Sequence, residues 1–395
     1  MSLPLRPGLL RMLPTVALSA LLSCAAHPLP VAVVLPQTGE WGVYGQPIME
    51  GIQAAEEYIE DEGVPGVHLR VRFYDSRSDP AEARRAMENA LDLGAVAVVG
   101  AVTTPEALTM IPLADRYRRA LVSPSASAAQ LKGISRYFFR VYPSDQAEVK
   151  VAAKFIVENL EARRVVLFVQ DTVFARSIAR DLSEELKILE GGLTATRVLP
   201  ADPTALRDMV RRGLKEGPNT AYLAAYAGTI LQALRAIRES GYTGSLVTTS
   251  AFNSPGILRS AGTLAEGVYY LRPPFSPEDE GNPVAAAFVS VYQRRFHREP
   301  EAFAAYGFDS LLVLAEAARE SDTGTDLPER LRGVMNFQGA TGPISFAPSG
   351  EILRMPKVYR VVNGRGVDFM ESMELYRTRM LQEIEKRKRG LEMPR

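Results

Sequence analysis

The sequence predicts an α/β fold of two lobes, each a parallel sheet flanked by helices, joined by a hinge that the chain crosses more than once. Three observations predict it. Short apolar runs alternate with longer segments of helical periodicity, the pattern of repeated strand–helix–strand units. The pattern restarts after Tyr142, so two similar halves emerge. At 395 residues the chain also exceeds the ~100–200 residues that one hydrophobic core usually serves.

In the first half, Val31-Ala32-Val33-Val34-Leu35 reads as a buried strand. Ile48, Ile52, Ala55 and Ile59 then recur at helical spacing, on a helix beginning near Pro47. Leu69, Val71 and Phe73 alternate with Arg70 and Arg72, as expected of a strand with one wetter face, and a helix is predicted from Pro80 to about Leu93. Residues 95–99 form another buried run. Beyond it, Thr104 is placed to cap a helix whose first residue is Pro105 and whose apolar positions are Ala107, Met110, Ile111 and Leu113.

The second half predicts helices over 146–160, 175–189, 204–214 and 229–240, with strands over 165–169, 193–198, 221–225 and 245–249. From Gly281 the pattern turns helical, over 282–296, 302–319 and 327–335, before β-like pieces at 343–346 and 358–362. This is read as a return to the first half. The expected organisation is a signal peptide over 1–23 and a tether over 24–29. One lobe is built from 30–142 and 275–341 and the other from 143–274 and 342–367, with an amphipathic tail over 368–395. The cleft between the lobes is the default ligand site.

The N-terminus carries a strong signal. Arg6 and Arg11 precede an apolar stretch, Met12 to Leu22, too short to span a bilayer and suited to a signal-peptide core. It ends in Leu21-Leu22-Ser23-Cys24, and Cys24 is the only cysteine. A lone thiol in an oxidising compartment is a liability that acylation removes. An ordinary signal peptide with an incidental cysteine is the alternative. Acidic and basic residues cancel at 46 each, so nothing global points to nucleic acid. The three histidines, His27, His68 and His297, show no metal-ligand spacing, and no nucleophile-elbow or phosphate-loop motif is present. The expectation is a binding protein with no cofactor, not an enzyme.

Several short motifs occur in a telling order. They are Thr38-Gly39 with Tyr44-Gly45 and Gly51, Tyr74-Asp75 with Asp79-Pro80, Val98-Val99-Gly100, and Ser123-Pro124. Further along come Phe139-Arg140 with Pro143 and Asp145, Ala265-Glu266-Gly267, and Gly342-Pro343-Ile344 with Phe346, Gly350 and Glu351. Over about Val31 to Val367 the chain thus resembles the type I periplasmic binding proteins, in the branched-chain amino-acid receptor group typified by the leucine-isoleucine-valine-binding protein. Leu21-Leu22-Ser23-Cys24 resembles a lipobox, although Leu22 is bulkier than that pattern prefers.

The resemblance implies two Rossmann-like lobes with a multi-crossing hinge, and a cleft that holds a small ligand by its carboxylate. By position, the carboxylate donors are Thr103 and Thr104 at a helix N-terminus, with Ser125-Ala126-Ser127 on the next loop. The implied side-chain wall is Tyr44, Phe174 and Tyr226, all on strand-to-helix loops. Each has a plainer reading: Thr104 caps its helix, the serines make a turn, and the aromatics are core.

One departure matters. Amino-acid receptors of the group place an acid for the ligand ammonium where this chain has Ser250. A plain amino acid then needs another carboxylate, such as Asp171 or Asp309, because a buried ammonium without an opposite charge is costly. Phe174 also lacks a tyrosine hydroxyl. A small aromatic or aliphatic carboxylate is therefore a second ligand candidate.

The partners implied are a small carboxylate or amino acid, the membrane through the N-terminal lipid, and a permease of the ATP-driven (ABC) class. The competing reading is an accessory lipoprotein that uses the same fold to control a membrane or cell-wall enzyme. In the tail, Met373, Tyr376, Met380, Leu381 and Ile384 fall at helical spacing before Lys386-Arg387-Lys388-Arg389. That pattern suits either a helix packed on a lobe or one touching an anionic membrane.

Overall fold

The computed structural model describes residues 28–253, 255–279, 281–319, 321, 323–374, 377–378 and 380–382. The expected signal peptide, Cys24 and the basic end of the tail lie outside the described residues. The first half builds β1 (Leu29–Leu35), α1 (Gly42–Tyr58), β2 (Leu69–Asp75), α2 (Pro80–Asp92), β3 (Ala97–Val99), α3 (Thr104–Tyr117), β4 (Ala120–Ser123) and β5 (Phe138–Arg140). Its sheet runs β2-β1-β3-β4-β5, and all four pairings are parallel. β1, covered on both faces, is a continuous apolar run, whereas edge strand β2 alternates buried and exposed residues.

The second half builds α4 (Asp145–Lys154), β6 (Val165–Gln170), α5 (Val173–Ile188), β7 (Leu193–Leu199), α6 (Pro203–Lys215), β8 (Thr220–Ala224) and α7 (Ala227–Glu239). It continues with β9 (Ser245–Thr248), α8 (Pro255–Ala261) and β10 (Tyr269–Arg272). Then follow α9 (Pro283–Phe296), α10 (Ala302–Ala318), α11 (Leu327–Arg332), β11 (Phe337–Gly339), β12 (Gly342–Ile344), β13 (Lys357–Val362) and β14 (Arg365–Asp368). The second sheet runs β14-β13-β10-β9-β8-β6-β7. Its β7-to-β10 part is parallel, but β13 and β14 join antiparallel. This departs from an all-parallel sheet. Asn363 and Gly364, both at positive φ, make the tight hairpin turn that allows it.

In each sheet the chain lays its second strand on one side of the first and its third on the other, so strand order reverses between β1 and β3 and between β6 and β8. Such switch points open a crevice at the carboxyl ends of the strands. The return to the first sheet is also visible. Asn282 donates to the carbonyls of Gly339 and Ala340, and Arg140 N–H donates to Gly350 O at 2.9 Å. Because Glu351 still pairs with β5, the chain reaches the second sheet only at Lys357, later than the boundary expected after residue 341.

Helix α10 is buried on every side except at Glu316, and it crosses α1 at two glycines. A Cβ on Gly51 would lie 1.8 Å from Ala304 O, and one on Gly307 would lie 2.3 Å from Ile48 O. Only glycine permits this approach. Gly51→Ala is expected to lower stability by about 3 kcal/mol, read from the urea midpoint, and to part Tyr44 on α1 from Phe303 on α10. In the tail, Phe369 packs edge-on against Phe155 and Tyr269, while Met370, Met373, Met380 and Leu381 are exposed.

Candidate functional site

The loops after β3, β4, β5, β6, β8 and β9 converge on one cavity between the lobes, closed by the start of α1 and the start of α10. Of the residues predicted to bind ligand, Tyr44, Thr103, Thr104, Ser125, Ser127, Phe174, Tyr226 and Ser250 line it. Ala126 does not line it; its N–H is held behind the wall by Ser123 Oγ at 2.9 Å. Val102, Tyr142, Ala251 and Phe303 complete the lining and were not foreseen. Tyr142 and Phe303 lie at the ends of segments that look like ordinary core. The free space between these side chains is small, about 30 Å³, which suits ordered water rather than an amino-acid side chain.

The helix α3 begins one residue earlier than its sequence indicates. Thr103, not Thr104, is the cap, because Glu106 closes back on it as a capping box. The Glu106 carboxylate accepts from Thr103 N–H at 3.0 Å, Val102 N–H at 3.2 Å and the Ser76 hydroxyl at 2.5 Å. Burial nevertheless pushes its pKa up. The Thr103 amide is therefore already engaged. Thr104 Oγ1, released from capping, is buried with no partner, in the field of a helix N-terminus. Ser125 Oγ donates to Val102 O at 2.7 Å and fixes its loop. Of the five predicted carboxylate donors, Thr104 has a buried hydroxyl without a partner.

The aromatic wall spans both lobes. Tyr44 Oη accepts from Ala227 N–H at 2.7 Å and donates to Ala251 O at 3.1 Å. Burial pushes its pKa well up, so it stays neutral. Tyr226 stacks on Phe174 with ring centres 4.9 Å apart and tilts against Tyr44 at 6.1 Å. Its hydroxyl accepts from the Thr104 amide. Phe303 meets Tyr44 edge-on at 5.3 Å and lies parallel to Tyr142. Opening the cleft must break the contacts of Tyr44 with Tyr226, Ala227 and Ala251 and the Tyr226–Thr104 bond, which join the two lobes.

Neither acid considered as a replacement for the missing one lines the cavity. Asp171 is exposed and paired with Arg176. Asp309 is buried and accepts from the N–H groups of Ala340 and Thr341, at 2.6 and 3.0 Å, holding the β11–β12 turn. Besides Glu106, the acids beside the cavity wall are on α4. Glu148 accepts from Ser250 N–H at 3.0 Å and Ser250 Oγ at 2.5 Å. Asp145, with Ser127 as its nearest hydroxyl, has neither oxygen in a well-formed hydrogen bond. Burial first, then the Glu148 charge, pushes Asp145 up to about 8. Burial pushes Glu148 up to about 7 against the bonds from Ser250.

The family model described as "Periplasmic binding protein" matches residues 28–365. The chain belongs to the periplasmic binding protein family. The curated proteins it resembles include Leu/Ile/Val-binding proteins and homologs of them. It is 21% identical over 357 residues to Leu/Ile/Val-binding protein homolog 3 of Brucella melitensis, covering 87% of this chain and 94% of that one. A leucine-binding protein of Thermotoga maritima superposes with a TM-score of 0.80 at 26% identity, over 86% of this chain and 97% of that one. A branched-chain amino-acid transporter substrate-binding protein of Streptococcus pneumoniae, in complex with isoleucine, gives 0.79 at 24%, over 86% and 98%. In this periplasmic binding protein the two lobes and the cleft between them follow the family fold.

Proposed function

We propose that this periplasmic binding protein is an exported lipoprotein, tethered through Cys24, that captures a small carboxylate-bearing ligand and presents it to an ABC-type permease. It is not an enzyme in this reading. The observation that carries it is the cavity itself, where strand-end loops from both sheets meet and the unpartnered Thr104 hydroxyl stands at a helix N-terminus. A carboxylate there accepts from Thr104 Oγ1 and displaces the Tyr226 hydroxyl from the Thr104 amide, while aromatic rings cover its apolar part. Ligand preference for the closed form shifts a pre-existing open–closed equilibrium. The amino acids named for the relatives are the first candidates.

A thermal-shift panel of amino acids and simple carboxylates tests this. The expected result is stabilisation by one class of small carboxylate, with Thr104→Val weakening it on the order of tenfold, the worth of one hydroxyl hydrogen bond. The narrowness of the cavity favours a second reading, an accessory lipoprotein whose lobes stay shut. A panel without any stabilising compound, together with capture of a cell-wall enzyme by the full chain, is the result that reading requires.

A further inference from the structure

Behind the cavity wall the protein buries more acidic groups than basic ones. Asp145 and Glu148 lie on one face of α4 and are fully buried or nearly so. The cation facing them is Arg140 of β5, fully buried, but its guanidinium is paired with Glu351 and bonded to Ala128 O at 3.0 Å. Asp181 of α5 adds a further carboxylate, paired outward with Arg180. Tyr222 of β8 aims a buried, unpartnered hydroxyl into the same region, where Glu148 and Asp145 are the charges it senses. Tyr142 and Tyr306 supply the remaining titratable groups. Among the described residues no grouping of acids and histidines has the arrangement to hold a metal ion.

The link from this cluster to the cavity is Ser250. Its single proton goes to Glu148 Oε2, and Tyr142 is hydrogen-bonded to the same serine. Both Ser250 and Tyr142 line the cavity. A hydroxyl polarised by a carboxylate behind it is a strong acceptor. It therefore favours a ligand group that brings N–H donors and positive charge.

We infer that Glu148, acting through the Ser250 hydroxyl, is the positioning residue that makes the cleft selective for ligands carrying a primary ammonium group. The inference rests on the capture reading above. It places the ammonium at the Ser250–Tyr142 end of the cavity and the carboxylate at the Thr104 end. The acidic group missing at position 250 is thus supplied from α4.

Calorimetric titration of the full chain with matched pairs tests it: L-leucine and isocaproate, L-valine and isovalerate, L-phenylalanine and hydrocinnamate. Members of a pair differ in the ammonium. Wild type is expected to prefer the amino acid of at least one pair. Glu148→Gln, which keeps an acceptor for Ser250 N–H, is expected to erase that preference, with a loss on the order of 30-fold confined to the amino acid. Ser250→Ala is expected to reduce the preference in the same direction. A wild-type preference for the deaminated members overturns the inference. So does an equal effect, or none, of Glu148→Gln on both members. Binding of no member of any pair by wild type overturns the capture reading, and this inference with it.

Discussion

Replacing Arg140 with leucine is expected to destabilise the protein by about 3–5 kcal/mol, the usual result of stranding one partner of a buried ion pair. Arg140 has no exposed surface, and its guanidinium bonds three acceptors on two parts of the chain: Glu351, and Ala126 O and Ala128 O on one loop. Without it the Glu351 carboxylate retains only Ser349 and a distant, half-exposed Lys132. The loop that carries Ser127 loses its support, so ligand capture is expected to fail as well. Urea denaturation measures the first effect. The double variant Arg140→Leu with Glu351→Leu is expected to recover much of the loss, because it removes both buried charges together. A single variant as stable as wild type contradicts this role for Arg140.

The second large effect is a dependence of stability on pH. Asp145 and Glu148 have folded-state pKa values near 8 and 7, above their ordinary values of 3.8 and 4.5. The folded protein therefore holds protons that the unfolded chain releases. Their contribution to stability is full below about pH 4, is lost as the pH rises through 7 and 8, and levels off above that. Each unit of raised pKa corresponds to about 1.4 kcal/mol, so the combined loss between pH 5 and pH 9 is expected to exceed roughly 2 kcal/mol. Asp145→Asn is expected to flatten the fall and to leave the variant more stable than wild type at pH 9. Urea midpoints across this range for both proteins decide it. A wild-type midpoint that rises toward pH 9, or an Asp145→Asn variant less stable there, contradicts the account of α4.

Much of this architecture was legible in the sequence because its signals are local. The apolar run at β1 and the alternation at β2 show which strand is covered and which lies at an edge, and most predicted site residues fall on loops that the topology brings together. What escaped was short or non-local. The strands β5, β11 and β14 are too short to show a period, and Tyr269–Arg272, packed among aromatics, shows none. Asn363-Gly364 was a usable hairpin signal that the parallel-sheet expectation passed over. At α3, Pro105 drew the cap to Thr104, whereas Glu106 sets it at Thr103.

The acids of α4 were also readable in principle. Val149, Ala152, Ala153 and Ile156 mark its buried stripe, and counting back by helical steps puts Asp145 and Glu148 on the same face. Charged residues on a buried stripe demand a partner. That the partner of Glu148 is Ser250, 102 residues away, is information only the folded chain contains.

The central claim is that the cleft captures a small molecule with a carboxylate. It is tested most directly by purifying the full chain from its native host without added ligand, denaturing it, and analysing the released compounds by mass spectrometry. The account predicts one small amino-bearing carboxylate in near-stoichiometric amount, reduced in Thr104→Val and in Glu148→Gln. Release of no compound, from a protein that also fails to bind any amino acid or carboxylate offered to it, would contradict the claim.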